Sequence, residues 1–222
     1  AETGETPVLR LGAMLQMLDW VEALASYGQS GNYGVFADLF KTDGMPASHA
    51  DQLAKSAYFE RGSNPVQARQ ALGVAHKSLQ SHHGAMSELF RQTLTDQIDW
   101  FRTGNRADWE FRLADRYLTR KDYLRAVIYL FEGFVSNAVI SDGYDVNDIQ
   151  HRKEAMKFAD KDRDIWLLTY LRNAMAHGVP PDTENNRTAQ EAKRLLDDPQ
   201  ALEQKLLQLR KKLFPTTPRQ TA

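Results

Sequence analysis

The chain has 222 residues, no cysteine, and a formal net charge of -1 from 28 basic and 29 acidic side chains. Without cysteine there is no disulfide, no thiolate nucleophile, no zinc knuckle and no iron–sulfur ligation. A near-zero charge excludes a nucleic-acid binder that works by bulk positive charge.

The apolar fraction, 42%, is that of an ordinary globular protein. No run approaches the ~18 apolar residues of a membrane span, and no basic-then-apolar leader opens the chain. No membrane association and a cytoplasmic location are therefore the expectations. The chain begins at Ala1 rather than Met, which fits a processed protein or a piece of a longer one.

Helical periodicity runs through nearly the whole chain. Leu11, Met14, Leu15, Leu18, Val21 and Leu24 recur at three- and four-residue steps. Gly28, Gly31 and Asn32 break that pattern, and a short helix is expected from Tyr33 to Phe40. After the Asp43-Gly44-Met45-Pro46 turn, a helix spans about 47–61. Asn64 before Pro65 reads as an N-cap and first helical residue. The stretch 65–101 reads as one or two helices, with a possible break at His82-His83-Gly84.

In the second half, 107–118 and 122–140 are helical, the second stopped by Ser141-Asp142-Gly143. Helices over 145–158 and 164–177 follow, the second closed by Gly178 and Pro180-Pro181. A last pair covers 188–196 and 199–214, with Asp198 as the cap before Pro199. The reading is all-α, nine or ten helices in a bundle, with an amino-terminal region over 1–106, a core over 107–214 and a frayed tail over 215–222. Two basic clusters, Lys153/Lys157/Lys161/Arg163 and Arg210/Lys211/Lys212, read as solvated faces. Trp20, Trp100, Trp109 and Trp166 read as core.

The histidines narrow the chemistry. His82 and His83 are adjacent and point about 100° apart on a helix, so they do not share a metal easily. There is no HExxH helix, and the acidic turn before His151 fails as a calcium loop, with Asn147 and Lys153 where Gly and Glu are needed. No metal or cofactor is expected. There is no glycine-rich phosphate loop and no GxSxG elbow.

His177 remains, at a helix end, with Arg172 five residues earlier and Asn173 four residues earlier. A guanidinium grips phosphate oxygens by paired hydrogen bonds. An imidazole moves protons near neutral pH. Together they suit metal-free cleavage of a phosphodiester. A five-residue step turns about 140°, so Arg172 and His177 do not stack on one helix. Convergence needs a long Arg side chain, a frayed turn or a second copy of the helix. A second pair, Arg69 and His76, meets the same loose spacing.

Arg172-Asn173-Ala174-Met175-Ala176-His177 resembles the R-x4-6-H motif of HEPN ribonucleases. Leu113 to Tyr117, Asp122 to Ala126 and Tyr129 to Glu132 resemble the long helical hairpin of that fold. In the family this hairpin carries an acidic residue facing the site, and Glu132 matches it. Leu18-Asp19-Trp20 and the segment 25–36 are similar to the helical insert of HEPN effectors in type III CRISPR ancillary ribonucleases.

The resemblance implies a HEPN-like bundle with additional amino-terminal helices. It implies a metal-independent endoribonuclease of single-stranded RNA in antiviral defence, working as a homodimer with two motifs in one cleft. Arg172, Asn173 and His177 would be catalytic, with Glu132 in support. Cyclic oligoadenylate would bear on it only through a separate or removed CARF sensor domain, since this chain contains no α/β half. Two other readings stay open: a non-catalytic HEPN module binding RNA or a nucleotide, and a helical interaction protein of toxin–antitoxin type.

Overall fold

The computed structural model describes residues 7–159 and 162–214, so the expected frayed tail at 215–222 lies outside the described residues, as does Lys161 of the first basic cluster. Among the described residues there are eleven α-helices, two short 3-10 turns and no strand. The chain forms two compact units that divide between Arg102 and Thr103, slightly ahead of the expected 106/107 boundary.

The first unit holds α1 (Pro7–Ser30), α2 (Ala37–Thr42), α3 (Ala47–Arg61), α4 (Pro65–Ser81) and α5 (Ser87–Gln97), with 3-10 turns at Tyr33–Phe36 and Asp99–Phe101. Its core is aromatic. Trp20 of α1 stacks on Phe90 at 5.3 Å and meets Phe40 edge-on at 4.9 Å. Asn64 caps α4, its side chain accepting from the Gln67 amide. The Ser56 hydroxyl donates to the Ala68 carbonyl at 2.8 Å and so accepts from the Tyr33 hydroxyl at 2.7 Å. That buried relay satisfies polar groups where α3, α4 and the Tyr33 turn converge.

The expected single helix over Tyr33–Phe40 is split instead into a 3-10 turn and α2, Asn32 capping the turn through the Gly34 amide. The long 65–101 stretch breaks at His82 because Asp43, from the α2–α3 turn, accepts the Met86 and Ser87 amides at 3.1 and 2.7 Å. A long-range carboxylate thus starts α5. At Gly84 a Cβ would stand 2.0 Å from the Asp43 carboxylate, so a larger residue there would push aside the side chain that starts α5.

The second unit holds α6 (Arg106–Thr119), α7 (Tyr123–Ser141), α8 (Ile149–Ala159), α9 (Arg163–His177), α10 (Arg187–Asp197) and α11 (Pro199–Leu213). Asn105 and Asp108 exchange side-chain and backbone bonds in a capping box that begins α6. Asp122 caps α7 after a turn in which Lys121 takes φ +59°. α6 and α7 pack closely along their length, with Tyr117 stacked on Tyr129 at 5.7 Å. Gly133 of α7 admits the Phe111 ring, which a Cβ would meet at 3.1 Å.

The helix expected from Asp145 begins at Ile149. Asp148 accepts the Gln150 amide at 2.6 Å and so acts as the start signal. Contrary to the expectation that no apolar run is long enough, α7 reaches the length and composition of a membrane span, at a mean hydropathy of 1.3 over its most apolar window. Half of that window is buried inside the protein, as befits the central helix of a bundle.

Candidate active site on helix α9

α9 positions the motif. Asp162 caps its start, accepting the Asp164 amide. Gly178 ends it in the left-handed conformation at φ +68°, its amide donating to the Ala174 carbonyl at 2.8 Å. His177 is therefore the last helical residue, exposed, where the helix dipole favours a cation.

Ile165, Leu167, Leu168, Leu171 and Ala174 turn into the unit's core. The opposite face carries Trp166, Tyr170, Asn173 and His177, spaced by four, three and four residues, a helical stripe.

Arg172 sits between the two faces, half-buried. Its guanidinium carbon lies 4.3 Å from the centroid of the buried Phe131 ring of α7. Nε and Nη2 both donate to Asn173 Oδ1, at 3.3 and 3.2 Å. Among the described residues no carboxylate pairs with it. The charge lies over an aromatic face and against a neutral amide, and no described carboxylate neutralises it.

The structure thus joins Arg172 to Asn173 and puts Asn173 on the His177 face. It does not bond His177 to Arg172, Asn173 or Glu132 among the described residues, as the five-residue step foretold.

Glu132 has another engagement. Its Oε2 accepts from Arg152 Nη2 at 2.5 Å. Arg152, only 8% exposed, also donates through Nη1 to the Ser136 hydroxyl at 2.8 Å and the Val146 carbonyl at 3.2 Å. Ser136 in turn donates to Glu110 Oε2 at 2.5 Å, and Arg106 Nε donates to Glu110 Oε1 at 2.8 Å. Burial pushes the Glu110 carboxyl above its usual range, against the pull of Arg106, Ser136 and Arg152. This buried chain of five side chains ties α6, α7 and α8 together, one residue along α7 from the ring under Arg172. Of the two roles open to Glu132, a paired acid or an acid aimed at His177, the pairing is the one observed.

The sequence did not flag Arg152, whose partners lie 16 and 20 residues away. Nor did it flag Tyr170, whose hydroxyl accepts from Asn186 Nδ2 at 2.8 Å. Asn186 also caps α10 and so returns the 178–186 loop to α9. The tryptophans divide: Trp20 and Trp100 are core, Trp109 is half-buried, and Trp166 is 39% exposed, against the expectation of core for all four.

The second pair, Arg69 and His76, does not make a like site. His76 is buried at 6% exposure with its ring 5.5 Å from Phe101, and Arg69 donates to the Phe101 carbonyl. Burial, helped by Arg102, lowers the His76 pKa. Among the described residues no group of three or more acids and histidines is placed to hold a metal ion.

Compared with family models, with curated proteins and with solved structures, the chain finds no match.

Proposed function

We propose that this protein is a HEPN-type endoribonuclease that cuts single-stranded RNA without a metal, acting as a homodimer in the cytoplasm and in antiviral defence of the CRISPR-linked kind. The observation that carries the reading is the Arg172 guanidinium, 4.3 Å over Phe131, held by Asn173 and unneutralised by any carboxylate among the described residues. Such a group binds phosphate oxygens and stabilises charge that develops on them, usually the largest electrostatic contribution to catalysis.

In the proposed step, the imidazole of one His177 takes the proton from a ribose 2′-hydroxyl. The 2′-oxygen attacks the adjacent phosphorus and the bond to the 5′-oxygen breaks. The leaving oxygen receives a proton from the His177 of the second copy. The products are a 2′,3′-cyclic phosphate and a 5′-hydroxyl end. Arg172 holds the non-bridging oxygens, and Asn173 fixes Arg172. Glu132 acts at one remove, by anchoring α7 beside Phe131. The exposed Trp166 ring, with the half-buried Tyr170 ring 5.8 Å away on the same face as His177, suits the stacking of unpaired bases. Control by cyclic oligoadenylate belongs to the proposal only where a CARF sensor domain accompanies this chain.

The test is end-labelled single-stranded RNA incubated with the protein in EDTA, the products being analysed for cyclic phosphate. Cleavage lost in both His177→Ala and Arg172→Ala, with the melting curve of each variant unchanged, supports the reading. RNA that stays intact with wild-type protein at high concentration overturns it. Binding without cleavage, weakened by Arg172→Ala and not by His177→Ala, would point to the non-catalytic module.

A further inference from the structure

We infer that the outward face of α1 is a self-association surface, on which a second copy of this chain packs its own α1. Helix α1 carries apolar side chains on two sides, with Gln16, Asp19, Glu22 and Ser26 also exposed along it. Trp20, Ala23 and Tyr27 turn into the first unit and are buried. Met14, Leu15, Met17, Leu18 and Val21 lie on the other side, between 43% and 63% exposed. An apolar helix side is ordinarily turned into an interior, and this second one is in water.

Three features identify the occupant. The first is charge. Helix α1 has one basic residue, Arg10 in its first turn, against the acidic Asp19 and Glu22. That composition opposes an anionic lipid surface and a nucleic acid, both of which select basic helices.

The second is spacing. Met14, Leu18, Val21 and Ala25 follow alternating steps of four and three residues. That is the seam with which two helices of the same kind interlock, and a two-fold axis sets the same face against itself. Over the 24 residues of α1 the helix runs roughly 36 Å, enough for three heptads.

The third is area. Five half-exposed Met, Leu and Val side chains give an apolar patch on the order of 500 Å² per copy, near the top of what a monomer usually leaves bare. Two such patches, with the flanking Ala13, Leu24 and Ala25, bring the buried total to roughly the 1,000 Å² at which specific interfaces begin. The association is therefore a reversible one.

This inference stands apart from the nuclease reading, but it would serve it. Pairing through the first unit holds two second units on one particle, which raises the concentration of one α9 about the other to roughly the millimolar range.

The experiment is sedimentation of the whole chain from about 1 to 100 µM. Wild-type protein is expected to move from the mass of one 25.3 kDa chain to that of two as concentration rises. The Leu18→Glu, Val21→Glu double variant should raise the dissociation constant about 30-fold or more while leaving the circular dichroism melt unchanged, since both side chains are exposed. Because the chain has no cysteine, Leu18→Cys provides a second measurement. A bismaleimide should link it into a covalent dimer, and should not link Gln80→Cys on α4.

A wild-type chain that keeps the single mass at 100 µM overturns the inference. So does a double variant that still dimerises, or a Leu18→Cys chain that stays unlinked. A dimer that fails to cut RNA refutes the nuclease and leaves the α1 surface intact. Cleavage by a dimer that survives the double variant does the reverse.

Discussion

Removing Arg152 tests whether the buried chain of polar groups is an organised support or incidental. Arg152→Met takes away three donated bonds, to Glu132, Ser136 and the Val146 carbonyl. Bonds of this kind to charged partners contribute about 1.5–3 kcal/mol each, and breaking one side of a buried ion pair costs about 3–5 kcal/mol. Two facts place the effect at the lower end. The Glu132 side chain is 31% exposed and can recover some water, and the Val146 carbonyl keeps Arg106 at 3.3 Å. The expected loss is therefore about 3 kcal/mol. Glu132→Gln keeps an acceptor for Arg152 but removes the charge, so about 1–2 kcal/mol is expected. If the pair is the common cause, the double variant loses only about 3 kcal/mol, a coupling of roughly 1–2 kcal/mol. Guanidinium unfolding followed by circular dichroism and tryptophan fluorescence measures all four proteins. Strictly additive losses, or an Arg152→Met protein as stable as wild type, would refute the reasoning.

Gly133→Ala sets a crowding loss of about 1–3 kcal/mol against about 1 kcal/mol gained from helix propensity. The Phe111 ring it meets at 3.1 Å is itself stacked on Phe214 at 4.2 Å, so a net loss of about 1 kcal/mol and a lower melting temperature are expected; a higher one would show that the ring yields. His76 has a folded pKa below its ordinary 6.5, because burial and Arg102 disfavour the cation. As pH falls below 6.5 the unfolded chain takes up the proton first, so stability drops. His76→Phe should flatten the stability difference between pH 7 and pH 5, and an unchanged slope counts against the assignment. For Asp43, burial raises the pKa, and hydrogen bonds from Ser87 and Met86 outweigh it, leaving the value lowered. Its contribution is present above the unfolded value of 3.8 and is lost as pH falls through the folded one. Asp43→Ala should cost about 1 kcal/mol at neutral pH and speed hydrogen exchange at the start of α5; protection equal to wild type there would dismiss the cap.

What could be read from the sequence was whatever is local in the chain. Asn64-Pro65, Asp122, Asp198-Pro199 and Gly178 punctuate helices through bonds to residues two to four positions away, and the 3.6-residue period marks the segments between them. The helix class follows from these signals. The break at His82-His83-Gly84 was legible from the residues but its cause was not, because the Asp43 cap lies 43 and 44 residues before the amides it accepts. The start of α8 was missed because Asp148 is one of several acids in its turn. In the site, the face shared by Asn173 and His177 was legible from spacing alone. The engagement of Glu132 was not, since nothing in its neighbours announces Arg152. The α1 periodicity was legible, but not its direction. Both sides of that helix are apolar, and the side bearing Trp20 and Tyr27 offers the larger rings to the core.

Phe214, just beyond α11, lies against Phe111 of α6, and Arg210 spans both rings at 5.4 and 5.6 Å while pairing with Asp115 at 2.8 Å. The two ends of the second unit are thus buckled together. Trimming the carboxyl-terminal helix would strip a ring from its partner and an acid from its counter-ion. The same closure makes this half suited to circular permutation: joined at the buckle and opened within 179–185, it would present His177 at a free carboxyl end.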